Sequence, residues 1–272
     1  MNTILAGIEY ANKIQSNLLP TENVFKEVFS DYSTIWKPRD VVGGDIYWLK
    51  KFQTGSVLCV CDCTGHGTPG ALLTMLVVST LESVVWPSNC RDTANTIWQL
   101  EQRFTEAFSV DERTSQFDVK DGCDLAVLYI ANDGNVTISA AHTDVFICDG
   151  TNVNRHKGQK MYVGEGKIKS KEDIKSIDIP YNPDNRFYIA SDGLYDQPGG
   201  EKGIPFGYRR FEKIIKEYHN KTALELSNKM WEIFEDYHKS EARVDDFQLV
   251  TFKTLWRETD DSRYLRRRAT DS

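Results

Sequence analysis

The 272-residue chain lacks three features that would indicate other classes of protein. It has no uninterrupted apolar run of about 18 residues, so we expect no transmembrane helix. The nearest candidate, residues 71–86, is broken by threonine, serine and glutamate and predicts a buried core helix. No G-x-x-x-x-G-K-[ST] phosphate loop occurs. The formal net charge of −7 argues against a nucleic-acid-binding surface as the main function.

The six cysteines do not have the spacing of a zinc site. Cys59, Cys61 and Cys63 alternate along one predicted strand and therefore share a face. No second C-x-x-C or C-x-x-H pair supplies the remaining ligands of a four-coordinate zinc ion. The other cysteines are isolated along the chain: Cys90, Cys123 and Cys148. We therefore predict buried, reduced thiols, as in a cytosolic protein.

By its patterns, the chain divides into an N-terminal helix, one domain and a tail. Residues 3–19 carry apolar side chains at roughly heptad spacing, and Pro20 ends the helix. Two interpretations stay open: a surface helix packed on the domain, or a linker that pairs with its copy in a homodimer and connects to an upstream sensor. We assign residues 1–30 to this linker or dimerisation helix, 31–255 to one domain, and 256–272 to a basic tail that we predict to be disordered.

The order of predicted elements indicates the fold class. Short runs rich in β-branched and aromatic residues predict strands, one of them near residues 160–163, and Asp133-Gly134 predicts a hairpin turn. Thr68 followed by Pro69 predicts the start of a helix. The elements run as strands, two helices, many strands, two helices and a last strand. This order indicates an α+β fold, a pair of antiparallel sheets flanked by helices.

Aspartates recur beside glycines at the predicted ends of strands. Asp62 follows an apolar run and opens Asp-Cys-Thr-Gly-His-Gly, Asp45 follows Gly43-Gly44, Asp192 precedes Gly193, and Asp245 precedes the last strand. Oxygen ligands drawn from separate segments suit a hard divalent cation such as Mg²⁺ or Mn²⁺. The sequence therefore predicts a metal site built from carboxylates that are distant in the chain.

These segments resemble, in order, the motifs of the SpoIIE-type branch of the metal-dependent PP2C protein phosphatases. The helix at residues 11–20 resembles the one that precedes many such domains. The similar motifs are Val42–Tyr47, Asp62–Gly67 with the helix entry Pro69–Leu72, Ser191–Asp196 and Asp245–Leu249. Residues 141–144, Ala-His-Thr-Asp, depart from the usual Ala-Gly-His-Pro run. The resemblance covers most of the chain.

The resemblance implies a PP2C-like antiparallel β-sandwich flanked by helix pairs, in α/β/β/α layers, over residues 31–255. It also implies two Mn²⁺ or Mg²⁺ ions that activate a water for hydrolysis of a phosphoester. Asp62 would bridge both ions, and the backbone carbonyl of Cys63 would take the place of a glycine carbonyl. Asp192 and Asp245 would complete the shell of one ion, and Asp45 would bind or hold water on the other side.

Other polar residues in these segments have alternative interpretations. His66 would act either as the general acid for the leaving alcohol or as a hydrogen-bonding residue of the turn. Asp124 would meet a weakly held third ion or only begin a strand. His142 is interpreted as structural. Asp196 and Asp246 are interpreted as capping or supporting residues.

The resemblance implies a Mg²⁺/Mn²⁺-dependent serine/threonine phosphoprotein phosphatase. Its substrate would be a small phosphorylated regulatory protein of a partner-switching pathway. The alternative is a catalytically inactive, phosphatase-like binding module. A nucleotidyl cyclase reading of Gly43-Gly44-Asp45 is disfavoured, because Ile46-Tyr47 follows where such enzymes carry Glu-Phe. We expect a cytoplasmic location, either alone or as the cytoplasmic part of an inner-membrane protein whose sensor lies upstream.

Overall fold

Alternating side chains build two five-stranded antiparallel sheets in the computed structural model, which describes residues 3–108, 121–239 and 241–256. The first sheet has the order β1 (Phe29–Lys37), β12 (Phe247–Thr254), β9 (Arg186–Ala190), β6 (Val145–Cys148) and β7 (Val153–His156). The second has the order β2 (Asp45–Lys51), β3 (Gly55–Cys63), β4 (Cys123–Ala131), β5 (Val136–Ala141) and β8 (Ser176–Ile179). Strands β10 (Pro198–Gly199) and β11 (Ile204–Pro205) form a separate short hairpin.

Seven α-helices accompany the sheets in the described part of the chain. They are α1 (Thr3–Leu18), α2 (Glu22–Val28), α3 (Gly67–Val84), α4 (Thr93–Phe108), α5 (Asp192–Tyr195), α6 (Gly207–Tyr218) and α7 (Ala223–His238). One 3₁₀ turn covers Lys171–Asp173. Helices α3 and α4 cover the second sheet, and α6 and α7 cover the first, so the expected α/β/β/α layers are confirmed.

Three apolar clusters separate the four layers. The central cluster lies between the sheets and includes Leu58, Val60 and Val250, each at most 2% exposed. A second cluster joins α3 and α4 to the opposite face of β2, β3 and β4. A third joins α6 and α7 to the first sheet. Because side chains alternate between faces along each strand, both faces of each sheet are buried over most of their area.

Helix α3 is long and apolar enough to cross a membrane by length and composition. One such helix among the described residues is weak evidence, because the core helix of a globular domain passes the same test. Val77 and Leu81 of α3 are fully buried against the second sheet. The packing agrees with the predicted core helix.

Helix α1 packs on the domain through its last turn. Leu18 and the following Leu19 contact the cluster beneath α3, and Gln15 is fully buried. Tyr10 and Ile14 remain exposed on the same helix. The packing agrees with the surface-helix interpretation, and dimerisation through the exposed side stays a prediction. All but the first residue of the basic tail lies outside the described residues.

Two local predictions were wrong. The expected strand at residues 160–163 does not form; Gln159 and Val163 make only isolated bridges, to Ala141 and Cys123. Helix α3 begins at Gly67, with His66 rather than Thr68 at its N-cap. The chain between β7 and β8 is therefore mostly irregular and is held by single backbone contacts.

Candidate active site

Three aspartates stand side by side at one edge of the second sheet. Asp45 on β2 is directly opposite Asp62 on β3, which is directly opposite Asp124 on β4. Directly opposed residues of antiparallel strands project from the same face and lie about 4.5–5.5 Å apart. This face is the one that forms the central cluster farther along the same strands. The three carboxylates therefore lie at one end of the space between the sheets.

The first sheet brings further carboxylates to the same end. Asp192 begins α5 just after β9, and Asp245 lies just before β12, the strand that pairs with β9. Ser191 joins the two sheets, because its hydroxyl donates a 2.7 Å hydrogen bond to Oδ2 of Asp45 and accepts one from the backbone of Gln248. The predicted metal-ligand aspartates of both sheets are thus brought together.

A small pocket of about 40 Å³ opens among these residues. Its acidic wall is formed by Asp62, Asp124 and Asp192, together with Asp144, which is paired with Arg155. Its aromatic wall is formed by Tyr195 and Tyr208. Asp45 and Asp245 do not line it, although both act electrostatically on Asp62. The aspartates of this wall come from the ends of strands in both sheets. The pocket therefore lies at the end of the sandwich.

The carboxylates raise one another's pKa values. Burial is the first cause for Asp62, whose pKa lies well above its ordinary value, followed by the charges of Asp45, Asp192, Asp245 and Asp124. Burial and the charge of Asp246 likewise raise the pKa of Asp45.

Asp192 shows the same effect, although its side chain reaches solvent. Partial removal from water and then Asp245 raise its pKa to about 6. The cluster carries more negative charge than its surroundings neutralise.

The donor set fits a hard divalent cation. All the converging side chains offer carboxylate oxygens, which Mg²⁺ and Mn²⁺ prefer. Oδ1 of Asp45 is buried without a hydrogen-bond partner among the described residues, as expected of an oxygen reserved for a ligand. Within residues 3–108, 121–239 and 241–256, no three such side chains stand close enough together to coordinate one ion as they are. Carboxylates repel one another, so a bound cation would draw these side chains closer together.

The turn after β3 packs tightly against the Gly43–Gly44 segment. The backbone N–H of Cys63 donates to the carbonyl of Gly44 at 3.0 Å. A Cβ atom on Gly44 would stand 2.6 Å from the carbonyl oxygen of Cys63, so only glycine permits this approach. The carbonyl of Cys63, a predicted metal ligand, thus lies against Gly44, the residue that precedes Asp45. Its role as a ligand stays a prediction.

Asp246 holds the loop before β2 in place. Its carboxylate is 3% exposed and accepts hydrogen bonds from the backbone N–H of Arg39 (2.5 Å) and of Gly44 (2.6 Å). These contacts agree with the supporting role expected for this residue. They also fix the position of Asp45, which follows Gly44.

His66 lies outside the lining of the pocket, in a cluster of charges. Its Nδ1 is 2.5 Å from Nη2 of Arg39 and 2.9 Å from Oδ2 of Asp40. Arg39 can only donate, so in the neutral ring Nδ1 accepts from it. These contacts favour the turn-stabilising interpretation of His66, and its role as general acid stays a prediction.

His142 lines the pocket instead. Its backbone has φ = 54°, and the N–H of Thr143 donates to the carbonyl of Ala141 at 2.6 Å, which makes a γ-turn centred on His142. Its Nδ1 lies 3.1 Å from Oδ1 of Asp124. A residue other than glycine in this conformation is strained. The sequence indicated only a structural role for His142 and gave no sign that it lies between Asp124 and the pocket.

Gln15 connects α1 to the site, which no sequence motif indicated. Its Nε2 donates to the carbonyl of Gly43 at 2.7 Å and to Oγ1 of Thr74 at 2.9 Å. Its Oε1 accepts from the backbone N–H of Gly43 at 3.2 Å. A polar residue at an apolar heptad position was the one available signal. The N-terminal helix therefore contacts the loop that precedes Asp45.

The cysteines agree with the prediction of reduced thiols. All six are free and buried. Cys61 and Cys63 face the helices rather than the carboxylates, with their sulfur atoms 3.8 Å apart. The thiols and the carboxylate of Asp62 therefore lie on opposite faces of β3.

The sequence profile of the SpoIIE family, described as stage II sporulation protein E, matches residues 53–255. The fold is similar to the SiaA-PP2C domain of Pseudomonas aeruginosa, with 28% identity, a TM-score of 0.83, and coverage of 93% of this chain and 97% of that one. No curated protein sequence matches the chain at a significant level.

Two more distant structures share the fold. The PP2C phosphatase domain of SpoIIE from Bacillus subtilis, solved with a fragment of its regulatory domain, has 15% identity and a TM-score of 0.67, with coverage of 85% of this chain and 65% of that one. RsbX in complex with magnesium has 14% identity and a TM-score of 0.56, with coverage of 82% and 94%. With the family profile spanning most of its length, the chain belongs to the SpoIIE family and has a PP2C-like phosphatase fold.

Proposed function

We propose that this protein is a Mg²⁺/Mn²⁺-dependent serine/threonine phosphoprotein phosphatase that acts on a small regulatory protein of a partner-switching pathway. The observation that carries the proposal is the meeting of Asp45, Asp62, Asp124, Asp192 and Asp245 at one end of the sandwich. Asp62, Asp124 and Asp192 share one pocket, and removal from water together with neighbouring carboxylates raises the pKa values of Asp45, Asp62 and Asp192. This combination is typical of a functional site rather than of a structural one.

Asp45, Asp62, Asp192, Asp245 and the carbonyl of Cys63 would hold the metal ions. When bound, two divalent ions lower the pKa of a water molecule and neutralise charge on the phosphoryl oxygens. Ser191 orients Asp45 by its hydrogen bond, and Asp246 fixes the loop that carries Asp45. The protein's own part in the reaction is thus to position these oxygens and to exclude bulk water from them.

The rim of the site supplies groups suited to a phosphate ester. The guanidinium of Arg39 lies beside His66 and Asp40, with its side chain 27% exposed. Arg39 would attract the phosphorylated residue, and His66 would donate a proton to the leaving alcohol if its ring turns toward the ester.

Hydrolysis of an aryl phosphate with Mn²⁺ separates the phosphatase from an inactive binding module. We expect Asp62→Ala and Asp192→Ala to lower kcat/KM by at least about 1000-fold, because each removes a carboxylate that the reaction needs. Asp236→Ala is the matched control, since Asp236 is exposed on α7 and lies outside the pocket lining, so the variant should keep full activity.

The folded state of each variant is checked by circular dichroism. Activity of either site variant equal to that of the control would refute the ligand assignment. An inactive parent protein that binds Mn²⁺ but hydrolyses no phosphoester would favour the binding module.

The wider setting follows from the same proposal. We propose that the protein acts in the cytoplasm, where its six thiols stay reduced, either alone or as the cytoplasmic part of an inner-membrane protein. A homodimer through α1 would place two sites on one particle. Cell fractionation and the mass of the particle in solution test these two points.

A further inference from the structure

The irregular segment between β7 and β8, residues 157–175, is fixed to the strands that carry the site. Gln159 accepts a hydrogen bond from the backbone N–H of His142 at 2.8 Å and donates its own to the carbonyl of Ala140 at 2.9 Å. Val163 and Cys123 exchange backbone hydrogen bonds of 2.8 and 3.1 Å. The segment therefore keeps a set position relative to His142 and to Asp124, the residue after Cys123.

A buried carboxylate holds the rest of this segment. Glu101 on α4 is fully buried and accepts hydrogen bonds from the backbone N–H of Gly164 at 2.5 Å and of Ile168 at 3.2 Å. Hydrogen bonds to a charged group are stronger than neutral ones. The segment thus forms a preorganised wall.

This wall encloses a second cavity beside the catalytic pocket. The cavity has a volume of about 420 Å³, and its lining includes Lys160, Met161, Tyr162 and Ile168. His142 lines both this cavity and the catalytic pocket. The strained γ-turn thus places His142 where the two spaces adjoin. Strain kept at such a boundary indicates a functional constraint.

One cation in this cavity is uncompensated. Lys167 pairs with Glu165 at 2.6 Å, and Asp173 accepts hydrogen bonds from the backbone N–H groups of Lys169 and Ser170. Lys160 is exposed and has no ion pair or hydrogen bond among the described residues. The ammonium group of Lys160 can therefore pair with a negative group that enters the cavity, whereas Glu165, Lys167 and Asp173 of the same lining already have partners.

We propose that the second cavity holds the residues next to the phosphorylated side chain of the protein substrate, and that Lys160 selects an acidic residue among them. The proposal rests on the proposed function, which assigns the phosphoryl group to the catalytic pocket. An extended chain advances about 3.3 Å per residue, so a cavity one side chain away receives a residue within a few positions of the phosphorylated one. Met161 and Ile168 would contact the methylene groups of an acidic side chain.

Two phosphopeptides that differ only in the charge of their flanking residues test this selection. One carries glutamate and the other lysine on the same positions beside the phosphorylated residue. We expect the parent protein to favour the glutamate peptide in kcat/KM by about fivefold, the size of one partly exposed ion pair. Lys160→Glu should reverse the preference. Because the ratio is taken within one preparation, it does not depend on the active fraction.

Lys157→Glu is the matched control, since Lys157 is exposed on the same segment but does not line the cavity. It should leave the preference of the parent protein unchanged. A preference that is absent in the parent, or that Lys157→Glu and Lys160→Glu alter equally, overturns the proposal.

Peptide binding followed by fluorescence anisotropy keeps this test separate from catalysis. If the protein hydrolyses no aryl phosphate, the proposed function fails, and the affinities of the two labelled phosphopeptides still decide the role of Lys160. Tighter binding of the glutamate peptide, reversed by Lys160→Glu, supports the cavity as a recognition site. Equal affinities in both proteins contradict it.

Discussion

Two groups of carboxylates in this molecule have opposite surroundings: one group contacts hydrogen-bond donors, and the other contacts mainly further carboxylates. Away from the site, Asp31 accepts from Arg186 and from the backbone of Ala223, and Glu101 accepts from two backbone N–H groups. At the end of the sandwich, Asp45 and Asp62 face mainly other carboxylates. Donors of the protein itself satisfy the carboxylates of the first group, which we call matched; the second group, which we call unmatched, has fewer donors, and Oδ1 of Asp45 has no partner among the described residues.

The difference separates stability from function. A buried carboxylate with donors stabilises the elements that it joins, whereas carboxylates that face one another cost folding free energy unless a cation joins them. A bound cation or a proton offsets that cost. The unmatched group thus indicates where the protein binds something, and the matched group indicates what keeps the site in shape.

The largest effect on stability should come from breaking a matched pair. Arg186 is 2% exposed and donates to Asp31 at 2.6 Å and to the carbonyl of Lys221 at 2.7 Å. We expect Arg186→Met to lower the free energy of unfolding by about 3 kcal/mol, because a carboxylate and a carbonyl lose their donor. Urea denaturation measures this change. A loss below about 0.5 kcal/mol would show that the pair contributes little.

Glu101→Gln tests how much a second carboxylate of the matched group contributes to stability. The substitution keeps the shape, but the amide has a single acceptor oxygen, so one of the two bonds from Gly164 and Ile168 is lost and its N–H faces the NH₂ group. We expect a loss of about 2 kcal/mol in unfolding free energy. Glu106→Gln on the exposed side of the same helix is the control and should change stability by less than about 0.5 kcal/mol. Equal effects of the two substitutions would contradict the assigned role of Glu101.

The unmatched group should respond with the opposite sign. In the metal-free protein we expect Asp45→Asn to raise the free energy of unfolding by about 1 kcal/mol, because a buried negative charge is removed from a repulsive cluster. The hydrogen bond from Ser191 can still be accepted by the amide oxygen. Thermal unfolding with a chelator present measures the change. Destabilisation would place Asp45 in the matched group.

A smaller effect of the same origin should appear in the pH dependence of the metal-free protein. The folded pKa of Asp192 is raised to about 6, so the stabilising effect of its proton is fully present below the ordinary value of 3.8 and is lost as the pH rises through about 6. The pKa values of Asp45 and Asp62 are raised as well. We therefore expect the melting temperature to fall as the pH rises from about 4 to about 6.

Adding Mn²⁺ tests whether repulsion between carboxylates causes this pH dependence. A cation neutralises the ionised carboxylates, so a saturating concentration should remove the fall or reverse it. A melting temperature that rises with pH in the chelated protein would be incompatible with a repulsive cluster.

The sequence predicted the parts of this molecule that local chemistry determines. Strand ends beside glycines located Asp45 and Asp62, and β-branched runs located the sheets that carry them. The shared edge needed no distance information, because antiparallel strands joined by short turns bring such ends together.

The parts that the sequence did not predict depend on contacts between distant segments. Gln15 contacts the loop at Gly43 across 28 positions, and Glu101 holds Gly164 across 63. The strand expected at residues 160–163 is replaced by single bridges, because the residues that it meets, Ala141 and Cys123, are the last residue of β5 and the first residue of β4. Propensity describes one segment at a time and carries no information on these partners.

Anomalous diffraction from crystals of the protein soaked in Mn²⁺ tests the central claim most directly. The account predicts two manganese peaks at the end of the sandwich, both within about 2.5 Å of carboxylate oxygens of Asp62, with Asp45, Asp192 and Asp245 as neighbours. The absence of peaks among these aspartates in crystals that bind manganese elsewhere would contradict it.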